Sequence, residues 1–242
     1  MKRATLVMAL TLLMPQLALA SIGKIAVLEG KATRAPEGGA PVDLAVGTEV
    51  ELKDTLKVGP GGNLKLELND GSQIALSEKA ELYIDDAQFD GQDCKSFLGT
   101  LKSGALWTHV KKLLGGAKYE VKTERAVAGV RGTIFRIDAD TLVKGAKTKA
   151  RKPATVIRVV EGVVRVNPSA KIAKTLKGAA PKGGHVEVKG PQEVSADEWE
   201  KIFVQLQAGE AQAVGADLFE AAELDEKIKN DAFSKWLAKQ GP

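Results

Sequence analysis

The residues in this chain that could do chemistry are few and scattered. The densest group is the acidic run Asp85-Asp86-Ala87-Gln88-Phe89-Asp90-Gly91-Gln92-Asp93. Oxygen-bearing side chains at alternate positions around a glycine are what a calcium loop uses, since that hard cation takes several oxygens at once. Set in that register from Asp86, Gln88 and Asp90 fall on ligand positions and Gly91 on the turn. The closing bidentate glutamate position falls on Phe97, so a solvated loop is expected and no metal. His109 and His185 stand alone, without a second ligand at zinc spacing. The single Cys94 can close no internal disulfide, and it is expected to be buried, with an intermolecular bridge as the alternative. No nucleophile–base pair, phosphate-cradling glycine loop or facing carboxylate pair is legible. Neither an enzyme nor a cofactor site is expected.

What remains is cationic. Thr123 to Ile137 reads T-E-R-A-V-A-G-V-R-G-T-I-F-R-I. In a strand, Arg131 shares a face with Thr133, Phe135 and Ile137 and would point inward. A buried guanidinium must fill five donors. Arg131 is therefore expected to clamp strands together, with an anion or carbohydrate site as the alternative, and Gly132 beside it permits close backbone approach. A second group is the basic loop carrying Lys144, Lys147, Lys149, Arg151 and Lys152. With Arg158 and Arg165 it forms the candidate contact for an anionic ligand. From Thr141 to Gly190 there are 12 Lys and Arg against 2 Asp and Glu, and from Pro191 to Pro242 there are 5 against 11. That asymmetry implies an anionic partner or an acidic tail seated on the basic segment.

The elements that must hold these residues read as short strands punctuated by glycine. Leu64, Leu66 and Leu68 alternate with polar residues, as do Ile74 and Leu76. A three-residue Asn69-Asp70-Gly71 loop sets Leu66 against Ile74 and Leu64 against Leu76, whereas a two-residue loop would put the two sets on opposite faces. Further strands are expected at Glu81–Ile84, Leu101–Val110, Lys118–Lys122, Gly132–Asp138 and Thr155–Val166. Within the last, Val160-Glu161-Gly162-Val163 reads as a tight hairpin that opposes Arg158 to Arg165. The segment from Val27 to Arg34 echoes that from Val159 to Arg165. Lys144–Lys152 and Lys171–Lys182 read as exposed, mobile loops. At Ser195 the period changes: Ser195 and Glu198 suit a capping box, and Trp199, Ile202, Phe203 and Leu206 follow at helical spacing. Leu224, Ile228, Ala232, Trp236 and Leu237 suggest a second helix. The expected fold is all-β, a two-sheet β-roll or jelly-roll-like sandwich over residues 21–194, with a helical C-terminal extension over 195–242.

The start of the chain reads as an export signal over residues 1–20. Lys2 and Arg3 precede the apolar run Thr5 to Met14, and Ala18-Leu19-Ala20 is a small-residue cleavage site. That run is too short to span a bilayer, which takes roughly 20 residues, and no later one is longer, so no transmembrane segment is expected. Without Lys2 and Arg3 the formal charge falls from +4 to +2. Aromatic residues make up only 5% of the chain, against a stacking surface for nucleic acid.

Val130-Arg131-Gly132-Thr133-Ile134-Phe135 resembles the signature of the FecR-type periplasmic domain, in which T-x-x-A-V-x-x-V-R-G-T-x-F is usual. Leu66 to Leu76, with Asp70-Gly71-Ser72, is similar to that family's L-x-L-x-D-G-S-x-L-x-L hairpin. Gly23, Val27, Gly30 and Arg34 resemble its opening, and Val159 to Val166 its close. The resemblance implies that Val130, Arg131, Gly132, Thr133, Phe135, Asp70 and Gly71 are structural signature positions. The best-known members are transmembrane regulators with a cytoplasmic N-terminal domain that handles a sigma factor, and this chain starts instead with an export signal. The expectation is a periplasmic or secreted, non-catalytic binding module of a Gram-negative envelope, with an envelope protein or anionic glycan as partner. Envelope signalling is the alternative, and a glycan-active enzyme the least favoured reading.

Overall fold

The computed structural model describes residues 21–113, 115–144, 151–178, 203–216, 218–222 and 230–240. The expected export signal, His185, Lys147 and Lys149 lie outside them. The chain shuttles between two stacked sheets. In chain order, β1 (Ser21–Glu29) lies in the first sheet, and β2 (Ala32–Ala35) and β3 (Val42–Asp43) in the second. β4 (Glu49–Glu51) returns to the first and β5 (Thr55–Val58) to the second. The first sheet then takes β6 (Asn63–Leu68) and β7 (Gln73–Leu76), and the second β8 (Glu81–Asp90) and β9 (Asp93–Ser103). β10 (Ala105–His109) is in the first, and β11 (Lys118–Lys122) and β12 (Ala126–Val130) in the second. β13 (Ile134–Lys144) and β14 (Arg151–Glu161) follow in the first, and β15 (Val163–Pro168) in the second. Helix α1 (Ala170–Gly178) comes next, then β16 (Val204–Gln207) in the second sheet, and β17 (Ala211–Gly215) and β18 (Leu218–Ala221) in the first. Helix α2 (Ala232–Gln240) closes the described chain. The fold is all-β, a two-sheet sandwich, as expected.

Alternation places one face of every strand in a shared core. Leu64, Leu66, Ile74, Leu76, Phe135 and Ile157 of the first sheet meet Leu56, Leu82, Phe97, Tyr119, Val121 and Val164 of the second, all buried. The rings of Phe97 and Tyr119 stack with centroids 4.5 Å apart. The Tyr119 hydroxyl lies 3.0 Å from Thr108 Oγ1, so the buried phenol finds its partner across the sheets. The β6–β7 hairpin has the expected register, Leu66 against Ile74 and Leu64 against Leu76, with Gly71 at φ +77°.

Three expectations are corrected, the first because local pattern does not say which sheet a strand joins. Val160 to Val163 is no hairpin. β14 pairs with β13 and β17, and β15 with β12 and β16, so the chain crosses between sheets at Gly162. Gly162 sits at φ +84°, and a Cβ there would stand 2.8 Å from the Gly132 carbonyl oxygen. Arg158 and Arg165 are consequently not opposed. The echo between the two E-G segments is a shared manoeuvre, since at Gly30 β1 of the first sheet likewise hands over to β2 of the second.

The boundary at Ser195 is the second correction. Val204 to Gln207 is a strand, pairing Leu206 with Val164. β17 and β18 then extend the first sheet beyond β14. The spacing of Ile202, Phe203 and Leu206 suits a helix, but Val204-Gln205-Leu206-Gln207 also alternates with period 2, and the free edge of β15 selects that period. The third correction is α1, which replaces the first half of the loop expected over Lys171–Lys182 and buries Ile172 and Ala173. The helix expected around Ala232, Trp236 and Leu237 is present as α2, packed on the first sheet against Val27, Ala75, Ala105 and Trp107. Leu224 and Ile228 lie outside the described residues.

Candidate functional site

Each sheet carries a charged outer face, and the two differ. On the first sheet, strand register sets Lys65, Ala75, Trp107, Arg136 and Arg158 side by side in one row. Like charges directly opposed on adjacent strands repel unless something anionic lies between them. Asp138, two residues along from Arg136 on the same face, is that anion. Its carboxylate accepts from Arg136 Nη2 at 2.7 Å and Nε at 3.1 Å, and also from Arg158 Nη1. Asp231, just before α2, accepts from Arg136 Nη2 at 2.5 Å and Nη1 at 3.1 Å. The same carboxylate accepts from the Ser234 backbone N–H at 2.7 Å and so caps the helix. Ser234 Oγ takes a further Arg136 donor at 2.9 Å, and the guanidinium lies 5.2 Å from the Phe233 ring centre.

Burial works against both charged forms in this cluster. It pushes Arg136 down, but Asp231 and Asp138 outweigh it and hold the guanidinium above its ordinary value. Burial pushes Asp231 up, but Arg136 and the Ser234 N–H outweigh it and hold the carboxyl below the usual range. A cavity of about 550 Å³ opens beside the cluster, toward Gly61, Glu78, Gly104 and Asp140. Its polar groups are already engaged with one another: Glu78 accepts from the Gly61 N–H at 2.8 Å, and Asp140 pairs with Arg125 at 2.8 Å. This face is a latch for the C-terminal helix.

The second sheet is open. Glu120, Gly129, Arg165 and Gln205 form a row across β11, β12, β15 and β16. Lys118 and Arg131 flank it, at the next position beyond the Tyr119–Val130 pair. These six residues line a groove of about 510 Å³. Gly129 makes its floor, since a Cβ there would meet only Glu120 Cγ, at 4.0 Å. Lys118, Arg131 and Arg165 are exposed. Arg165 rests 4.6 Å from the centre of the exposed Phe203 ring. Beyond that stacking, the three cations make no hydrogen bond or ion pair among the described residues.

The signature positions divide accordingly. Val130, Thr133 and Phe135 are buried, and Thr133 Oγ1 donates to the Val163 carbonyl at 2.9 Å. Asp70 is buried and locks the hairpin turn, accepting from the Ser72 N–H and hydroxyl at 2.8 Å each. Arg131 overturns the expectation of an inward clamp. It lies between β12 and β13, where Gly132 at φ +93° turns the chain from one sheet to the other. The period-2 rule stops at that turn, and the side chain is left outside. The clamp falls instead on Arg136, which sequence reasoning passed over. Its signal was present: Arg136 and Asp138 alternate with Phe135 and Ile137.

The candidate anion contacts are not brought together. Arg158 is buried in the latch, Arg165 lines the groove on the other sheet, and the exposed Arg151 and half-buried Lys152 stand on the ladder opposite Lys144 and Val143. The acidic run belongs to the β8–β9 hairpin. Asp85 accepts from Thr100 Oγ1 at 2.7 Å, and Asp86 from Ser96 Oγ at 2.5 Å. The described residues contain no cluster suited to a metal. Cys94 is buried, and burial, with Asp70 and Asp86 nearby, pushes its thiol up to about 11. His109 meets Trp107 edge-on at 6.4 Å. No described helix is long and apolar enough to cross a membrane.

Residues 54–165 match the family model described as FecR protein, so this part of the chain is a FecR domain. The match runs from just before β5 into β15 and contains both Arg131 and Arg165. No curated protein matches the chain. Two crystal structures of a candidate anti-sigma factor from Parabacteroides distasonis ATCC 8503 are similar, each at 15% identity over 76% of this chain, with TM-scores of 0.48 and 0.47. The matches cover 63% and 64% of those chains, so this protein spans less than two thirds of their length.

Proposed function

We propose, on the premise that this is a FecR-domain protein, that it is a non-catalytic component of envelope signalling or regulation that works by binding another protein. The family match over residues 54–165 carries this reading. Two further features support it. The charged cluster of the first sheet is spent on holding α2, and the open groove of the second offers side chains suited to recognition. The export signal expected over residues 1–20 supports a binding event in the periplasm or outside the cell.

Photo-cross-linking of the tagged full chain in its native host, with the adduct identified by mass spectrometry, tests the binding. A covalent adduct to an envelope protein is expected, and adducts confined to glycan would overturn it. Transcript profiling of a deletion strain tests signalling. A shift in a defined set of genes is expected, and an unchanged profile would leave a binding module without a signalling role.

A further inference from the structure

The groove on the second sheet has the features of a ligand site rather than of scaffold. Its cations hold nothing else in place. Arg136 and Arg158 meet carboxylates in the latch, whereas Lys118, Arg131 and Arg165 are exposed and engage no carboxylate among the described residues. Three like charges converging on one groove repel each other, and among the described residues no ion pair offsets that. An oxyanion in the groove would. Two guanidiniums suit a planar carboxylate well, because each can offer paired N–H donors to both oxygens. The glycine floor at Gly129 leaves room for such a group to approach the sheet.

The rest of the lining narrows the chemistry. Glu120 stands in the same row, one strand from Gly129, and Gln205 closes the row on β16. A uniform polyanion laid across this row would bring one of its charges against Glu120. A peptide can set an acidic side chain on the arginines and a hydroxyl, amide or backbone N–H on Glu120. Phe203, exposed beside Arg165, offers an apolar contact to the same peptide.

The geometry points to an acidic peptide segment of a partner protein as the occupant of this groove, with Arg131 and Arg165 binding its carboxylate and Lys118 reinforcing them. This deepens the protein-binding reading above and depends on it.

The test is fluorescence anisotropy on the full chain, using a labelled peptide that alternates glutamate with serine. Oligogalacturonate and inorganic phosphate serve as the competing probes. Salt-sensitive binding of the peptide is expected, weakened about tenfold by Arg131→Ala or by Arg165→Ala, or ~1.4 kcal/mol. Lys24→Ala, on the exposed face of β1, should leave it unchanged. Arg131 and Arg165 are exposed, and thermal melts of the variants check that they remain folded. Equal peptide affinity in Arg131→Ala and the parent would overturn the assignment. Tighter binding of oligogalacturonate than of peptide would give the groove to a glycan instead. Full displacement by phosphate at concentrations comparable to the peptide would reduce it to a simple anion site. If the native adduct forms as strongly with Arg131→Ala as with the parent, the groove fails while the function stands. If the parent forms no protein adduct, the function itself fails.

Discussion

The outer faces of the two sheets use the same residue types to opposite ends. On the first, Arg136 and Arg158 stand side by side with Asp138 between them, and α2 covers the group. On the second, Arg131 and Arg165 line a groove and pair with no carboxylate among the described residues. A guanidinium that finds a carboxylate inside the chain becomes architecture. One that does not is available for a partner. The difference lies in which strands become neighbours, since the two faces draw their arginines from the same stretch of sequence.

The largest effect should come from removing the strands that finish both sheets. A chain ending at Val194 lacks β16, β17 and β18, and so uncovers the edges of β15 and β14 at Val164, Val156 and Ile157. It is expected to aggregate or to lose cooperative unfolding, as judged by circular dichroism and light scattering, because long unpaired edges invite intermolecular pairing. A folded, soluble product would restore the boundary at Ser195.

Next is the latch. Arg136→Ala leaves Asp231 without its cation and Asp138 with Arg158 alone, and breaking such a buried pair costs about 3–5 kcal/mol. For a chain of this size that is a fall in melting temperature of roughly 10 °C. A melt within a degree or two of the parent would mean that the network is not what holds α2.

The acid response of the latch is smaller and has a definite sign. Arg136 and the helix N–H hold the Asp231 carboxyl below its ordinary value, although burial opposes them. A carboxyl depressed in the folded state adds stability above its unfolded value, and loses it as pH falls through the folded one. Helix α2 should therefore stay docked from pH 5 to 8 and loosen only below about pH 4. Hydrogen exchange in residues 232–240 across that range reads this directly, and Asp231→Asn should remove most of the acid step. Loosening already at pH 6 would point to a different group.

The smallest effect on stability, and the sharpest contrast with Arg136→Ala, is expected at Arg131. An exposed side chain with no partner contributes within about 0.5 kcal/mol, so Arg131→Ala should melt with the parent. A large loss of stability would return Arg131 to the scaffold.

The hairpin at Asp70-Gly71, the all-β class and the buried positions Thr133 and Phe135 were legible in the sequence because each follows from local rules. Alternation fixes a face, a three-residue loop fixes a register, and a glycine at positive φ fixes a turn. The candidate site was legible only in its residue types. The alternation of β13, carried back across Gly132, predicts a buried Arg131, but the chain has already changed sheets there. The pattern V-E-G-V predicts Arg158 and Arg165 as cross-strand partners, but a tight hairpin and a sheet-to-sheet crossing share it.

The sequence by itself determined which residues are apolar every second position, where glycine breaks that run, and that no catalytic constellation lies within one segment. Only the tertiary structure decided which sheet each strand joins, because period 2 is the same in either. It made strands of residues 204–207, 211–215 and 218–221, since the free edges of β15 and β14 offered ladders that local propensity cannot see. It also brought Asp231, 95 residues away along the chain, onto Arg136 and left Arg131 with no counterpart among the described residues. Ion pairs between distant segments depend on docking, and docking is a property of the packed sheets.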